Sequence, residues 1–236
     1  MYDKHIVLDF EMNPVPKKNK EIRKHLCREI IEIGAVKFGA DGEHEGTFSC
    51  FVKPEYSPCV TSYITKLTGI KTKDVYQARF LDEALASFSE WIGSGRTRVY
   101  SWSESDLAQL TAECELKHIE FPSNMRRWMD FQPVFPRLME IRQQKNLMSL
   151  HEAAEWYGVD FKMKSAHRAL YDAEITAELV QPVLTGEYIS QRDCLKEIIR
   201  SDDSKETSGG LCLGEMCGNI FAMFSCGEFS AAVPIH

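Results

Sequence analysis

No apolar run in this chain approaches the ~18–20 residues that a helix needs to cross a membrane. The opening stretch meets Asp9 directly after Ile6-Val7-Leu8, an apolar run too short for the core of a secretion signal. No Cys-x-x-Cys pair occurs among the eight cysteines, their spacing is irregular, and a chain of 236 residues does not need disulfide staples. Reduced thiols in a cytoplasm are the expectation. There is no internal repeat. Nor is there an excess of positive charge: 28 Lys and Arg stand against 35 Asp and Glu, a net charge of -7. That excludes a duplex-coating protein held by counterion release, although an acidic site screened by metal ions can still hold a strand locally.

What is present is 44% apolar and 27% charged residues, enough for a real core in one large domain with at most a small appendage. Residues 4–11 alternate as a strand, with Ile6, Leu8 and Phe10 on one face and Val7, Asp9 and Glu11 on the other. A basic loop with one helical turn follows over Met12–Arg28. Strands are expected over Glu29–Phe38 and Thr47–Val52, joined at Asp41-Gly42 by more than two residues. Helical periodicity then covers Leu81–Ile92, Glu104–Lys117, Gln132–Gln143, Leu150–Tyr157 and Ala166–Leu184, with strands over Thr97–Trp102 and Arg127–Phe131. Ser149 and Glu152 form a capping box, and Gly158 is a stop. A meander followed by strand–helix alternation implies an α/β domain with a mixed sheet. The domain is expected over residues 1–186. Residues 187–236 would form a tail: a helix over Ser190–Ile199, the linker Ser201–Gly210, and a hairpin around Gly218-Asn219.

Three signals carry chemistry. Asp9 and Glu11 end a strand on one face, where open α/β sheets place ligands, and paired acids suit Mg²⁺ or Mn²⁺. Asp106 falls in the first turn of a helix after a strand, where Ser103 as N-cap and Asp106 as its N3 acid would equally make a capping box. His167 and Asp172 are five apart, about 140° on a helix, so they converge only if His167 precedes the helix. Each alone has an ordinary reading as a solvated acid, a cap or a surface histidine.

In this order the three resemble the DEDDh exonucleases, the DnaQ-like branch of the RNase H-like fold. Glu29–Val36 is similar to that family's second strand, Leu67-Thr68-Gly69-Ile70 to its substrate-side loop, and Ala166–Asp172 to its last motif. The likeness covers roughly Lys4–Gly186. Arg168, not Tyr, stands four before Asp172, which places the chain in the histidine branch; Tyr171 reads as packing. Asp-Phe-Glu, the basic loop and Ser-Trp-x-x-x-Asp resemble the enhanced-RNAi exoribonucleases and a bacterial sporulation-kinase-inhibitor-like relative.

The resemblance implies 3′→5′ removal of nucleoside monophosphates from single-stranded RNA or DNA ends, with RNA favoured by the subfamily. It implies two Mg²⁺ or Mn²⁺ ions held by Asp9, Glu11, Asp106 and Asp172, Asp9 bridging them, and His167 as the base for the attacking water. Met12 is expected to reach the terminal nucleotide, and Leu67, Thr68 and Ile70 to wedge against its base or anchor the loop. Lys17, Lys18, Lys20, Arg23 and Lys24 track the backbone or are simply solvated. Trp102 and Trp128 read as core. Cys212, Cys217, Cys226 and His236 match no zinc spacing. The rival reading is a regulatory adaptor that keeps the fold and binds a protein.

Overall fold

The computed structural model describes residues 2–139, 141, 147–162 and 167–186, all within the first of the two units into which the chain divides, Met1–Asp193. The readings made for Gln143, Ala166 and the 187–236 tail, its cysteines included, lie outside the described residues.

Strand β1 (Lys4–Pro14) is the centre of a five-stranded sheet. It pairs antiparallel with β2 (Arg28–Gly39), which pairs antiparallel with β3 (His44–Phe51). On its other side β1 runs parallel to β4 (Thr97–Ser101), and β4 to β5 (Trp128–Asp130). The order β3-β2-β1-β4-β5 is the expected mixed sheet. The strand ends differ from expectation by up to three residues. The basic loop carries one turn of helix, α1 (Lys20–Arg23).

Two short helices were not read from the sequence, α2 (Ser62–Thr68) and α3 (Thr72–Tyr76). Thr61 caps α2 by accepting from the Ile64 N–H, and Gly69 ends it at φ 77°. Each is too short to show a period. Further helices follow: α4 (Leu81–Ile92), α5 (Ser105–Lys117), the single turn α6 (Phe135–Leu138), α7 (Leu150–Tyr157) and α8 (Ala169–Thr185). Among the described residues of the helix expected over Gln132–Gln143, only α6 is helical, with Pro136 in its first turn, where the missing N–H is tolerated. The α7 capping box forms in both directions between Ser149 and Glu152.

Ile6, Leu8 and Phe10 pack with Ile33 and Ala35 against Leu81, Leu85, Phe88 and Leu110, one face of the sheet under α4 and α5. Helix α8 packs on β1 and β2. A Cβ on Gly34 would collide with the Ala169 and Leu170 backbone at the start of α8. Gly34 is the register partner of Asp9, so the bare glycine lets α8 settle directly beside that carboxylate. Trp102 and Trp128 are both buried, and no described helix is long and apolar enough to cross a membrane.

Candidate active site

Asp9 and Glu11 do not end the central strand as expected: β1 continues to Pro14, which leaves them within it, on the face turned to α8. A register shift between Glu11 and Met12 puts an irregularity in the ladder there, after which pairing with β2 continues to Pro14. Met12 lies half-buried against the Ile6–Phe10 cluster rather than among the acids.

The capping box drawn for Ser103 and Asp106 does not form. Helix α5 begins at Ser105, and Ser103 Oγ accepts from the Ser105 N–H. Asp106 is instead 4% exposed, and its Oδ1 accepts from the Phe10 N–H at 3.2 Å. The carboxylate is thus tied to the backbone between Asp9 and Glu11. The turn that aims it is held by Ser101, whose hydroxyl donates to the Ser103 carbonyl and accepts from Trp128 Nε1.

His167 precedes α8 in left-handed backbone conformation, φ 63°, and its N–H donates to Asp172 Oδ2 at 3.0 Å. That conformation gives two residues five apart a common direction, which a continuous helix denies them. Glu11, His167 and Asp172 each offer a ligand atom, and these atoms lie within 4.8 Å of one another.

Two participants were missed at sequence level. Glu32 is the register partner of Glu11 and 1% exposed. Arg168 Nη2 donates to its Oε1 at 2.6 Å, Arg168 Nε reaches both oxygens, and the Ala169 N–H donates to Oε2 at 3.1 Å. This bidentate clasp anchors the chain between His167 and α8 to the sheet. Period two along the second strand puts Glu32 and Gly34 on one face, the available signal, but nothing local says which acid Arg168 will meet.

The acids repel. Burial, then the charges of Asp106, Asp172, Glu11 and Glu32, holds Asp9 well above the usual carboxylate range. Burial, then Asp172 and Glu32, pushes Glu11 up to about 8. Burial raises Asp106 to about 7 against the Phe10 N–H, and Asp172 to about 6 against the His167 N–H. Partial burial lowers His167, keeping its imidazole neutral near pH 7. An oxygen-rich donor set with uncompensated repulsion fits hard divalent cations.

At the end of α2, Thr68 is 4% exposed, its hydroxyl donating to the Ile64 carbonyl and accepting from the Ile70 N–H. Ile70 is 1% exposed, in a cluster with Ile31, Val60, Ile64 and Val75. Both anchor the turn after α2. The outward pair, one helical turn apart, is Tyr63 and Leu67, 69% and 38% exposed. The fully buried Asn13 ties this helix to β1: its Oδ1 accepts from the Thr61 N–H, and its Nδ2 donates to the Cys59 carbonyl.

The Exonuclease family matches residues 6–180, and the chain belongs to it. ERI1 exoribonuclease 2 of Danio rerio is 29% identical over 202 residues, covering 76% of this chain and 35% of that protein. The chain therefore spans about a third of that relative's length. The probable 3′-5′ exonuclease KapD of Bacillus subtilis (strain 168) is 28% identical over 171 residues, 71% of this chain and 78% of the relative. In structure, the chain is similar to the nuclease domain of 3′hExo, a DEDDh family member, bound to rAMP. The TM-score is 0.66 at 22% identity, covering 78% of this chain and 92% of that one. The RNase H-like exonuclease fold is thereby established.

Proposed function

We propose that this chain is a metal-dependent 3′→5′ exonuclease that releases nucleoside monophosphates from single-stranded ends, RNA in preference to DNA. The observation that carries this reading is the convergence of Asp9, Glu11, Asp106 and Asp172 with His167 from three distant parts of the chain. Asp9, Glu11, Asp106 and Asp172 would hold two Mg²⁺ or Mn²⁺ ions, which supply phosphate charge neutralisation and a lowered water pKa.

His167, neutral at pH 7, accepts the proton of the attacking water at an imidazole nitrogen. Water adds to phosphorus, the bond to the preceding 3′ oxygen breaks, and the terminal nucleotide leaves with its phosphate. The bond from the His167 N–H to Asp172 and the Arg168–Glu32 clasp hold the base in position. Tyr63 and Leu67 present an apolar face to the terminal base. The preference for RNA draws on the relatives' names as exoribonucleases. The chain is read as cytoplasmic, and Cys27, Cys50, Cys59 and Cys114 form no disulfide. An adaptor would need none of this convergence, which disfavours that alternative.

The test is a matched pair of 5′-labelled RNA and DNA oligomers with Mg²⁺, Mn²⁺ or EDTA. Stepwise shortening is expected with metal, faster on RNA, and none with EDTA. His167→Ala is expected to lower kcat by roughly 10²–10⁴-fold. An unchanged rate in His167→Ala, or cleavage in EDTA, removes the reading.

A further inference from the structure

Strand β3 lies at the edge of the sheet, and its outer side is open. Just past it, the Val52 N–H donates to the Ile31 carbonyl at 2.9 Å, toward β2, and the Lys53 N–H donates to the Arg79 carbonyl at 2.8 Å, away from β2. Alternation along the strand then turns the N–H and C=O groups of Thr47 and Ser49 outward. Edge strands are usually guarded by lysine, proline or a bulge. The run Gly46-Thr47-Phe48-Ser49-Cys50-Phe51 carries no charge and no proline, and it pairs with β2 in unbroken register. The chain itself uses this edge once, where Val52 and Arg79 form a parallel bridge.

Along the same edge lies a cavity of about 430 Å³, between residues 48–51 and a wall that includes Asp74, Ala78, Arg79 and Ser87. The strand side is firm, because Phe48 packs on Phe88 and Trp91. Asp74 is the acid of the lining, and its Oδ2 already accepts from the Lys71 N–H at 2.8 Å. Arg79 donates to the Ser87 hydroxyl through Nη1, which leaves its other guanidinium donors available. Lys53, bonded through its backbone to Arg79, adds a second cation: its Nζ lies 5.1 Å and 5.0 Å from the ring centroids of the exposed Tyr76 and Phe80. In a chain of net charge -7, this flank offers positive charge to a partner.

We propose that this edge is a docking site for an acidic, extended segment of a partner protein. The segment adds a strand beside Thr47 and Ser49, sets an apolar side chain in the cavity, and lays a carboxylate against Arg79 or Lys53. Main-chain pairing supplies the affinity, and the cavity and its cations supply the selectivity. Nothing in this depends on the exonuclease reading.

The probe is an end-blocked peptide of six residues alternating valine and glutamate, compared with its lysine-for-glutamate counterpart. The glutamate peptide is expected to bind about tenfold or more tighter than the lysine peptide, and to slow hydrogen exchange at the Thr47 and Ser49 amides. Ser49→Pro removes an outward N–H and leaves the bonds to β2 intact, and Arg79→Glu reverses the charge of the wall. Each is expected to weaken binding of the glutamate peptide about tenfold or more. No binding, equal binding of the two peptides, unchanged exchange at Thr47 and Ser49, or binding that survives both substitutions overturns the proposal. So does dimerisation of the unaltered chain that already protects those amides, which gives the edge to a second copy. Displacement of the peptide by single-stranded RNA gives the groove to nucleic acid and overturns it too.

Discussion

Two clusters of buried acids stand on this sheet, and they are built in opposite ways. Glu29 and Glu113 are fully buried, yet Lys117 Nζ lies 3.2 Å from Glu29 and 2.8 Å from Glu113. Glu113 also accepts from the Ile30 N–H and from Gln109 Nε2, and Glu29 accepts from the Glu55 and Tyr56 N–H groups. Every charge there has a partner. The charges that bear on Asp9 are Asp106, Asp172, Glu11 and Glu32; of the cations that reach this group, Arg168 is already clasped to Glu32 and Arg28 acts on Asp106. The first cluster is an answer to burial; the second is a repulsion that a bound proton or a bound cation relieves. That difference separates architecture from active site more sharply than burial does.

Substitution at each cluster tests the contrast. Asp9→Asn is expected to lower the rate of nucleotide release by ~10³-fold or more, the scale of several kcal/mol of charge stabilisation. It is expected at the same time to raise the melting temperature of the metal-free chain, because it removes repulsion. A melting temperature that falls would mean the Asp9 charge is already compensated. Lys117→Met should do the reverse. It strands two buried carboxylates and is expected to cost about 3–5 kcal/mol in urea unfolding, with kcat preserved in the fraction that stays folded.

What the sequence made legible is what is local. Strand alternation places Ile6, Leu8 and Phe10 opposite Asp9 and Glu11, and the Ser149–Glu152 box announces α7. The short helices α2 and α3 escaped because five to seven residues display no period. Ser103 and Asp106 misled because a capping box has the same spelling as an acid recruited by tertiary structure. Asp106 bonds to Phe10, nearly a hundred residues away, and no local rule foretells that. Glu32 and Gly34 are visible as residue types only. Their roles exist once β2 lies beside β1 and α8 descends on both. Gly34→Ala probes this directly: the methyl meets the backbone of Ala169 and Leu170, which cannot rotate aside as a side chain would. Displacing His167 and Asp172 by an ångström is expected to cost ~10²-fold in kcat. Unaltered kcat would show that α8 need not sit so close.

The smallest effect is also the most diagnostic, because it reads the charge problem without any substrate. Glu11 is raised to about 8, Asp106 to about 7 and Asp172 to about 6, all above the ordinary carboxylate range. The folded metal-free chain thus binds more protons than the unfolded chain between about pH 4 and 8. Stability must then fall as pH rises through that window, since its slope has the sign of protons bound unfolded minus folded. A divalent cation favours the ionised carboxylates and releases those protons, so its stabilising effect should grow with pH. Scanning melting temperature from pH 5 to 8, the metal-free chain is expected to lose about 5 °C or more, roughly 2 kcal/mol at this size. Saturating Mg²⁺ should recover most of the loss at pH 8 and little at pH 5. The Glu29–Glu113–Lys117 cluster, whose carboxylates already have Lys117 and backbone N–H partners, contributes no such Mg²⁺ dependence. A metal-free curve that is flat, or one that Mg²⁺ lifts equally at both ends, would mean that the acids beside Asp9 are as well satisfied as those around Lys117.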